Sequence, residues 1–580
     1  MNIRKVLSIL LAVILVISVS ACGAKTDTTE TPPASTSDSN SNANSESDTS
    51  THTSSEEENT EPDNSEAAAT IEEAIGFEAI EVPFPEEPLM KYPVEEGGKV
   101  TMWIPLSSVV AKYYKSLAEN ATVKQYVKDS GIDVEFVHPP SGQEEENFNL
   151  LVVSDSLPDI LVDCNKYYAG GVDAAVADGV FADLTDLVPE YAPDYNYFLE
   201  NNDLFRKLAT SIDGKIYNIY NYKDVQAPYY YRPQYRGDWL KEWGMREPRT
   251  FDECEAYFQK VLEEKSGVAP FLLAANGLEG HFLGAFEIGG QDNGRLFFVK
   301  QGKIHHTFNE PRLKDYLELM NKWYEKGYIS PDFTTVESKE EEIAKGRAAA
   351  AVCNTDGLFT LAAEMGIEVV TGPYPRINEG DPFHFDIFYF PQNGNPNAIA
   401  AKSENKELAL MFLNYGFTHH GSGVVNFGET GVTWEMGDDG IPKFTDFALN
   451  NPDIPMSDAE YILRLHTCWA KYRYGDDISM IRNVANPETW EYRARWGVGD
   501  DPTCDNAYAL PTLSFTAEEA AEVGRLTNDI YTYAEEMVLK FITGAESLDK
   551  FDEFAENIQN LGMPRLLELY QNAYDKFLAK

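Results

Sequence analysis

The sequence predicts an α/β protein of more than one lobe, exported and carried on an acidic stalk. Three observations carry this. The chain has 580 residues, several times the length over which a single hydrophobic core grows. From residue 99 onward, short apolar runs alternate with helical patterns, the mark of βαβ units and a parallel sheet. The first 22 residues read as a bacterial export signal.

The signal comes first. Arg4 and Lys5 precede an apolar run from Val6 to Val19, followed by Ser20-Ala21-Cys22-Gly23. The run is shorter than the roughly 20 residues a helix needs to span a bilayer. Its ending, Val19-Ser20-Ala21-Cys22, resembles the bacterial lipobox, which implies cleavage after residue 21 and a diacylglycerol thioether on Cys22. The other five cysteines, Cys164, Cys254, Cys353, Cys468 and Cys504, show no C-x-x-C spacing and read as buried thiols.

A tether follows. Between Gly23 and Thr70 there is no Val, Ile, Leu, Met, Phe, Tyr or Trp, and residues 26–90 hold seventeen acidic side chains and no Lys or Arg. Such a segment cannot bury enough apolar surface to offset its ordering entropy, and self-repulsion extends it. The tether is expected over residues 22–96 and the folded body from Gly97. The whole chain carries a formal charge of −48, which repels phosphate backbones and makes nucleic acid a poor partner. With 43% hydrophobic and 24% charged residues, the body has enough apolar material for a large core.

Within the body, Lys99–Pro105 reads as a strand closed by proline, residues 107–129 as helix, and Asp133–Val137 as strand. A helix over 143–153 leads to the short run Pro158–Asp163. In parallel sheets ligands sit beyond the carboxyl ends of the strands, here at Pro105-Leu106 and at Asp163–Tyr167. Downstream, Thr250 with Glu253 and Thr516 with Glu519 have the spacing of capping boxes. The second opens a long helix, with Leu526, Ile530, Met537 and Phe541 on one face, that ends at Gly544.

Enzyme signatures are missing. There is no H-E-x-x-H, and His305-His306 and His419-His420 are adjacent pairs rather than helical ligand pairs, so no metal site is expected. No phosphate-binding G-x-x-x-x-G-K-[ST] occurs, Gly497-Val498-Gly499 lacks the third glycine of a dinucleotide loop, and no cofactor is expected. His420-Gly421-Ser422-Gly423 lacks the glycine two positions before a nucleophile-elbow serine.

A series of motifs resembles one family. In order they are Ser156-Leu157-Pro158-Asp159-Ile160, Asp178–Leu184, Asp213-Gly214-Lys215-Ile216-Tyr217, and Asp238–Gly244 followed by Pro248, Thr250 and Glu253. Then come Asn321–Phe333, Lys345–Ala349, Asn426–Trp434 with Asp439-Gly440, and Leu561–Asp575. Together they resemble the family 1 extracellular solute-binding proteins of bacterial ABC importers, in their large Gram-positive lipoprotein subgroup. The resemblance implies a two-lobed periplasmic-binding-protein-like fold of type II, with discontinuous lobes, a hinge and a ligand cleft. The first lobe is expected from 97–225 and 395–450, and the second from 226–394 and 451–580. Crossings are expected near Tyr222–Pro228 and within Phe383–Ile399. The resemblance also implies ABC permease subunits as partners, a site on the outer face of the cell membrane, and a solute that is most plainly an oligosaccharide.

Sugars combine hydroxyls with an apolar ring face, so a site needs flat aromatic rings beside Asp, Asn and Arg. Asp163, Asn165 and Tyr167 follow the third strand, where family members reach the ligand. Tyr220, Tyr222, Tyr230 and Arg232 flank the hinge, and strand alternation turns part of them inward. Asp356 stands where a helix starts, either capping it or bonding a hydroxyl. Trp434 lies in the subgroup motif, and Trp103 and Trp469 are further stacking candidates, whereas Trp239 reads as packing. Two other readings stay open: a secreted glycoside hydrolase, and a sugar-sensing lipoprotein without a transporter.

Expressed in a Gram-positive host, the wild-type chain should partition with membranes. The Cys22→Ala variant should move to the soluble fraction, and equal retention of both forms would sink the anchor assignment.

Overall fold

The first apolar run becomes β1 (Lys99–Trp103), which is buried at Val100, Met102 and Trp103. It pairs in parallel with β2 (Asp133–Val137) and with β3 (Ile160–Val162). The strand Asn397–Ile399 adds antiparallel to the outer side of β3, so β1 and β3 are the central strands of four. In this computed structural model the described residues are 82–580 except 96, 169, 224–230, 291–295, 387–393, 395, 437–441, 455–457, 459–460, 464–468, 474–491, 493–494 and 497–500. The export signal, Cys22, most of the tether, Cys468 and Tyr230 lie outside the described residues. Contacts divide the chain into residues 1–64 and 65–580, and both lobes belong to the second unit.

The helix expected over 107–129 is broken into Val110–Tyr113, a 3-10 turn Leu117–Glu119, and Ala121–Ser130. The breaks have a local cause. Ser116 Oγ accepts the Ala118 N–H, and Asn120 Oδ1 accepts the Val123 N–H at 3.1 Å. Two polar side chains thus satisfy backbone donors where a continuous helix would have run.

The first lobe's sheet continues past residue 397. Asn397 exchanges backbone hydrogen bonds with Ile219, and Tyr222–Lys223 pairs in parallel with Tyr472–Arg473. The buried Asn397 side chain also accepts the Ala470 N–H at 3.1 Å. Three chain passages therefore lie side by side at one edge. The chain leaves the first lobe after Lys223, returns before Pro396 and leaves again after Arg473.

The second lobe is built on β4 (Tyr231–Arg236), set between β5 (Ala350–Asn354) and Val369–Thr371, both antiparallel to it. Helices Phe251–Glu264, Leu313–Glu325, Ala517–Thr543 and Met563–Ala579 cover it. Trp323 is wholly buried at the centre, edge-on to Phe251, Phe258, Phe271 and Phe282. The capping box at Thr516 is complete. At Thr250 only half of it forms, because the Glu253 carboxylate accepts the N–H of Arg249 instead of that of Thr250.

Two expected boundaries move. Val82 is buried in the first core, and Leu89 and Met90 donate their N–H groups to the Asp194 carboxylate at 2.9 and 3.2 Å, so the body begins before Gly97. Ile462, Trp469, Ala470 and Tyr472 pack in the same core, so the first lobe extends past the expected change at 450 to Arg473. Apolar contact assigns these residues, and a linear pattern cannot show which core an apolar side chain joins.

His306 contributes to the fold's acid sensitivity. It is fully buried against Phe297, Phe308 and Tyr531, and burial pulls its pKa down to about 3. Its Nδ1 accepts the Phe308 N–H at 3.1 Å, a bond that a protonated ring would lose. The unfolded chain takes up this proton near pH 6.5 and the folded chain does not. Its contribution is therefore present above pH 6.5 and is lost as pH falls towards 3, at ~1.4 kcal/mol per pH unit. Urea titrations of wild type and His306→Phe between pH 6.5 and 4.5 should differ in slope by about one proton.

Candidate functional site

Strand order reverses between β1 and β3, and at such a reversal open α/β sheets receive ligands beyond the carboxyl ends of the strands. Asp163 follows β3 with φ 55°, a left-handed conformation that Asp tolerates better than most residues. Its N–H is held by the Pro396 carbonyl at 2.8 Å, and its carboxylate pairs with Lys166 Nζ at 2.7 Å. The turn at Asp163 is thus braced by the returning passage from the second lobe. It launches the 3-10 turn Asn165–Tyr167. Asn165 Oδ1 is buried there with no partner among the described residues. A carbonyl acceptor in that state costs about 1–3 kcal/mol unless a ligand or water donates to it.

Tyr167 is half-buried, edge-on to Trp103 at 6.3 Å, with Lys166 Nζ 5.2 Å from its ring centroid. Trp103 itself is wholly buried, and its Nε1 donates to Asn147 Oδ1 at 2.8 Å. Trp103 therefore supports this turn from beneath. Tyr220 is half-buried on the neighbouring passage. Burial pushes its pKa to about 12, beside Asn218 and the Asp173 carboxylate, so it remains a neutral donor.

The corresponding end of the second lobe holds Tyr231 and Arg232 at the start of β4, opposite Asn354 at the end of β5. The buried Arg232 guanidinium lies 5.1 Å from the Tyr374 ring centroid. That ring stacks between His281 and Phe383, and its hydroxyl donates to the Tyr231 carbonyl at 2.7 Å. Helix Thr355–Met365 starts here, and its cap is Asn354, whose Oδ1 accepts the Gly357 N–H at 3.0 Å. Asp356 therefore does not cap the helix; it sits half-buried in the first turn.

Beneath these residues Glu279 is a buried carboxylate. Lys339 Nζ lies 3.1 Å from it and also donates to the Val352 carbonyl, and His281 Nδ1 is 3.3 Å away. Burial alone would raise the Glu279 pKa, but Lys339 and His281 together bring it below the usual carboxylate range. Burial lowers the His281 pKa, so the ring is neutral and the ion pair is Glu279 with Lys339.

Other candidates turn out to be core. Tyr222 is wholly buried, stacked on Phe198 at 4.7 Å and edge-on to Phe205 at 4.9 Å, so no ring face is open to a solute. Trp434 packs on Phe427, and its Nε1 donates to the Gly428 carbonyl at 3.0 Å. Trp469 is buried among Tyr126, Phe136 and Phe412. Trp239 packs as expected, under Arg236 and Lys265.

Residues 111–421, more than half of the chain, match the family of bacterial extracellular solute-binding proteins. The chain belongs to this family. Among curated relatives, the polygalacturonan/rhamnogalacturonan-binding protein YtcQ of Bacillus subtilis is 21% identical, over 81% of this chain and 91% of its own. The fructooligosaccharide ABC transporter substrate-binding protein FusA of Streptococcus pneumoniae is 26% identical over 37% of this chain and 42% of its own. The alginate-binding protein AlgQ2 has the same fold, with a TM-score of 0.66 at 19% identity over 83% of this chain and 99% of that one. A FusA complex with fructo-nystose gives a TM-score of 0.66 at 17% identity over the same shares. These likenesses establish the two-lobed solute-binding fold. The solved forms include AlgQ2 without calcium and an EF-hand mutant of FusA. Among the described residues here, no group of three or more His, Cys, Asp or Glu side chains could hold a metal ion.

The second-lobe floor gives a direct test. Lys339→Met leaves Glu279 charged, buried and uncompensated, and should cost about 3–5 kcal/mol in urea unfolding. Adding Glu279→Leu to that variant should restore much of the loss.

Proposed function

We propose that this solute-binding protein captures an extracellular oligosaccharide between its lobes and hands it to the permease of an ABC importer, while a lipid on Cys22 holds it at the outer face of the membrane. The observation that carries the reading is the braced turn after β3, at the β1/β3 reversal. There the buried Asn165 Oδ1, without a partner among the described residues, lies in the turn that the returning passage braces through Pro396. A solute hydroxyl is the natural donor to that atom.

Asp163, Tyr167 and Tyr220 supply the rest of the first lobe's face, and Arg232 and Asp356 act from the second. The oligosaccharide class is supported by the substrates named for YtcQ, FusA and AlgQ2. A solute touching both lobes favours the arrangement in which they close. Anchoring through Cys22 rests on the lipobox Val19-Ser20-Ala21-Cys22.

A thermal-shift screen across plant and host oligosaccharides should find a stabilising ligand, worth about 2.7 kcal/mol at a hundredfold excess over Kd. Small-angle scattering of residues 82–580 should show a smaller radius of gyration at saturation. Sugar recovered intact after long incubation fits a binder, whereas cleaved product would favour the hydrolase reading. Stabilisation by peptides and by no glycan would overturn the oligosaccharide class.

A further inference from the structure

A cavity of about 260 Å³ opens on the second lobe between Arg249, Arg376, Glu379, Trp496, Asp501 and Thr503. It belongs to the end of the sheet that carries Tyr231. Past Thr371 the chain keeps running beside β4, because Gly372 donates its N–H to the Pro233 carbonyl and the Tyr374 hydroxyl reaches the Tyr231 carbonyl. Pro373 and Arg376 follow directly, so the cavity lies beside the expected cleft and not on the lobe's far side.

The chemistry is that of two guanidinium–carboxylate pairs and an indole. Arg376 Nη2 lies 3.0 Å from Asp501 Oδ2 and 3.1 Å from Cys504 Sγ. Arg249 Nη1 lies 2.8 Å from Glu379 Oε1, and its guanidinium sits 4.9 Å from the Trp496 ring centroid. Burial would raise the Asp501 pKa, but Thr503 and Arg376 hold it below the ordinary value; Arg246 and Arg249 do the same for Glu379. Both carboxylates therefore stay ionised, and the two pairs cancel.

Arg376 is only 7% exposed, and its Nε has no partner among the described residues. This buried donor lacks an acceptor, on a side chain that lines the cavity. Trp496 adds an observation of its own. It is half-buried with φ 67°, a backbone conformation that bulky residues rarely adopt and that clusters at binding sites.

We propose that this cavity is a one-ring subsite for an uncharged sugar unit of the captured oligosaccharide, a proposal that rests on the oligosaccharide reading above. Its volume is below the ~300–1,000 Å³ of sites for drug-sized ligands, which suits a single ring. Sugar hydroxyls donate to Asp501 and Glu379 and accept from Arg376 Nε, while the apolar ring face meets Trp496. A uronate unit fits worse, because both guanidiniums are already paired and no uncompensated positive charge is left to offset the desolvation of its carboxylate. The subsite thus selects for neutral glycans, unlike the polygalacturonan and alginate named for two of the relatives.

Calorimetric titration with neutral fructo- and cello-oligosaccharides and with oligogalacturonides, each of three to five rings, tests this. Wild type should bind a neutral series at least tenfold more tightly than the oligogalacturonides. Trp496→Ala should weaken that binding at least tenfold, and Trp496→Phe should recover most of it. Arg376→Gln should weaken it similarly, and because Arg376 is buried, the half-exposed Trp496 variants carry the test if that protein unfolds. Unchanged affinity in Trp496→Ala, with loss in Asn165→Ala, would defeat the subsite and leave the cleft reading standing. Tighter binding of oligogalacturonide would defeat the neutral class. Failure of wild type to bind either neutral series would defeat the subsite, while a stabilising glycan in the thermal-shift screen would leave the cleft reading standing.

Discussion

Asn397 ties together the three passages between the lobes. Its backbone exchanges both hydrogen bonds with Ile219, it stands opposite Val162 on β3, and its amide oxygen accepts the Ala470 N–H. The residue is wholly buried, so each of these groups would cost about 1–3 kcal/mol if left unsatisfied. Water cannot replace the partners there. The segments ending at Lys223 and Arg473 and beginning at Pro396 are therefore held at one sheet edge, and the lobes must meet where that edge ends.

The candidate site depends on the same edge. Pro396 lies one residue before Asn397, and its carbonyl holds the left-handed turn at Asp163. That turn presents Asn165 and Tyr167. At the opposite end of β3, Asp159 accepts bonds from Thr101, Ser403 and Asn405, which hold its carboxyl below the ordinary pKa despite burial. The Ser156–Ile160 motif therefore anchors the strand from behind, and the residues that follow the strand form the site. The second lobe places its charges the same way. Glu279 with Lys339 and Asp501 with Arg376 are largely buried pairs. Pairing keeps polar groups available there without the desolvation penalty of single charges.

Much of the first lobe was legible in the sequence. β1, β2 and β3 form almost where the apolar runs stand, because strand patterning is local and these three are consecutive βαβ units. The breaks in the helix expected over 107–129 are not legible in the sequence, since Ser116 and Asn120 are tolerable inside a helix and only the folded chain shows their side chains taking backbone donors. The site was less legible. Tyr220 and Tyr222 look equivalent in the chain, yet Phe198 and Phe205 cover one and leave the other half-buried. Trp496 carries no signal in the sequence, because its partner Arg249 is 247 positions away and neither residue belongs to a motif.

By itself the sequence determined the α/β class and the family, since each is a matter of local periodicity or ordered motifs. Only the tertiary structure decided which core each apolar segment joins, where the lobes exchange chain, and which polar atoms are left without partners. Those outcomes depend on contacts between residues hundreds of positions apart. A side chain's burial is a property of its neighbours in space, and the order of residues along the chain does not specify them.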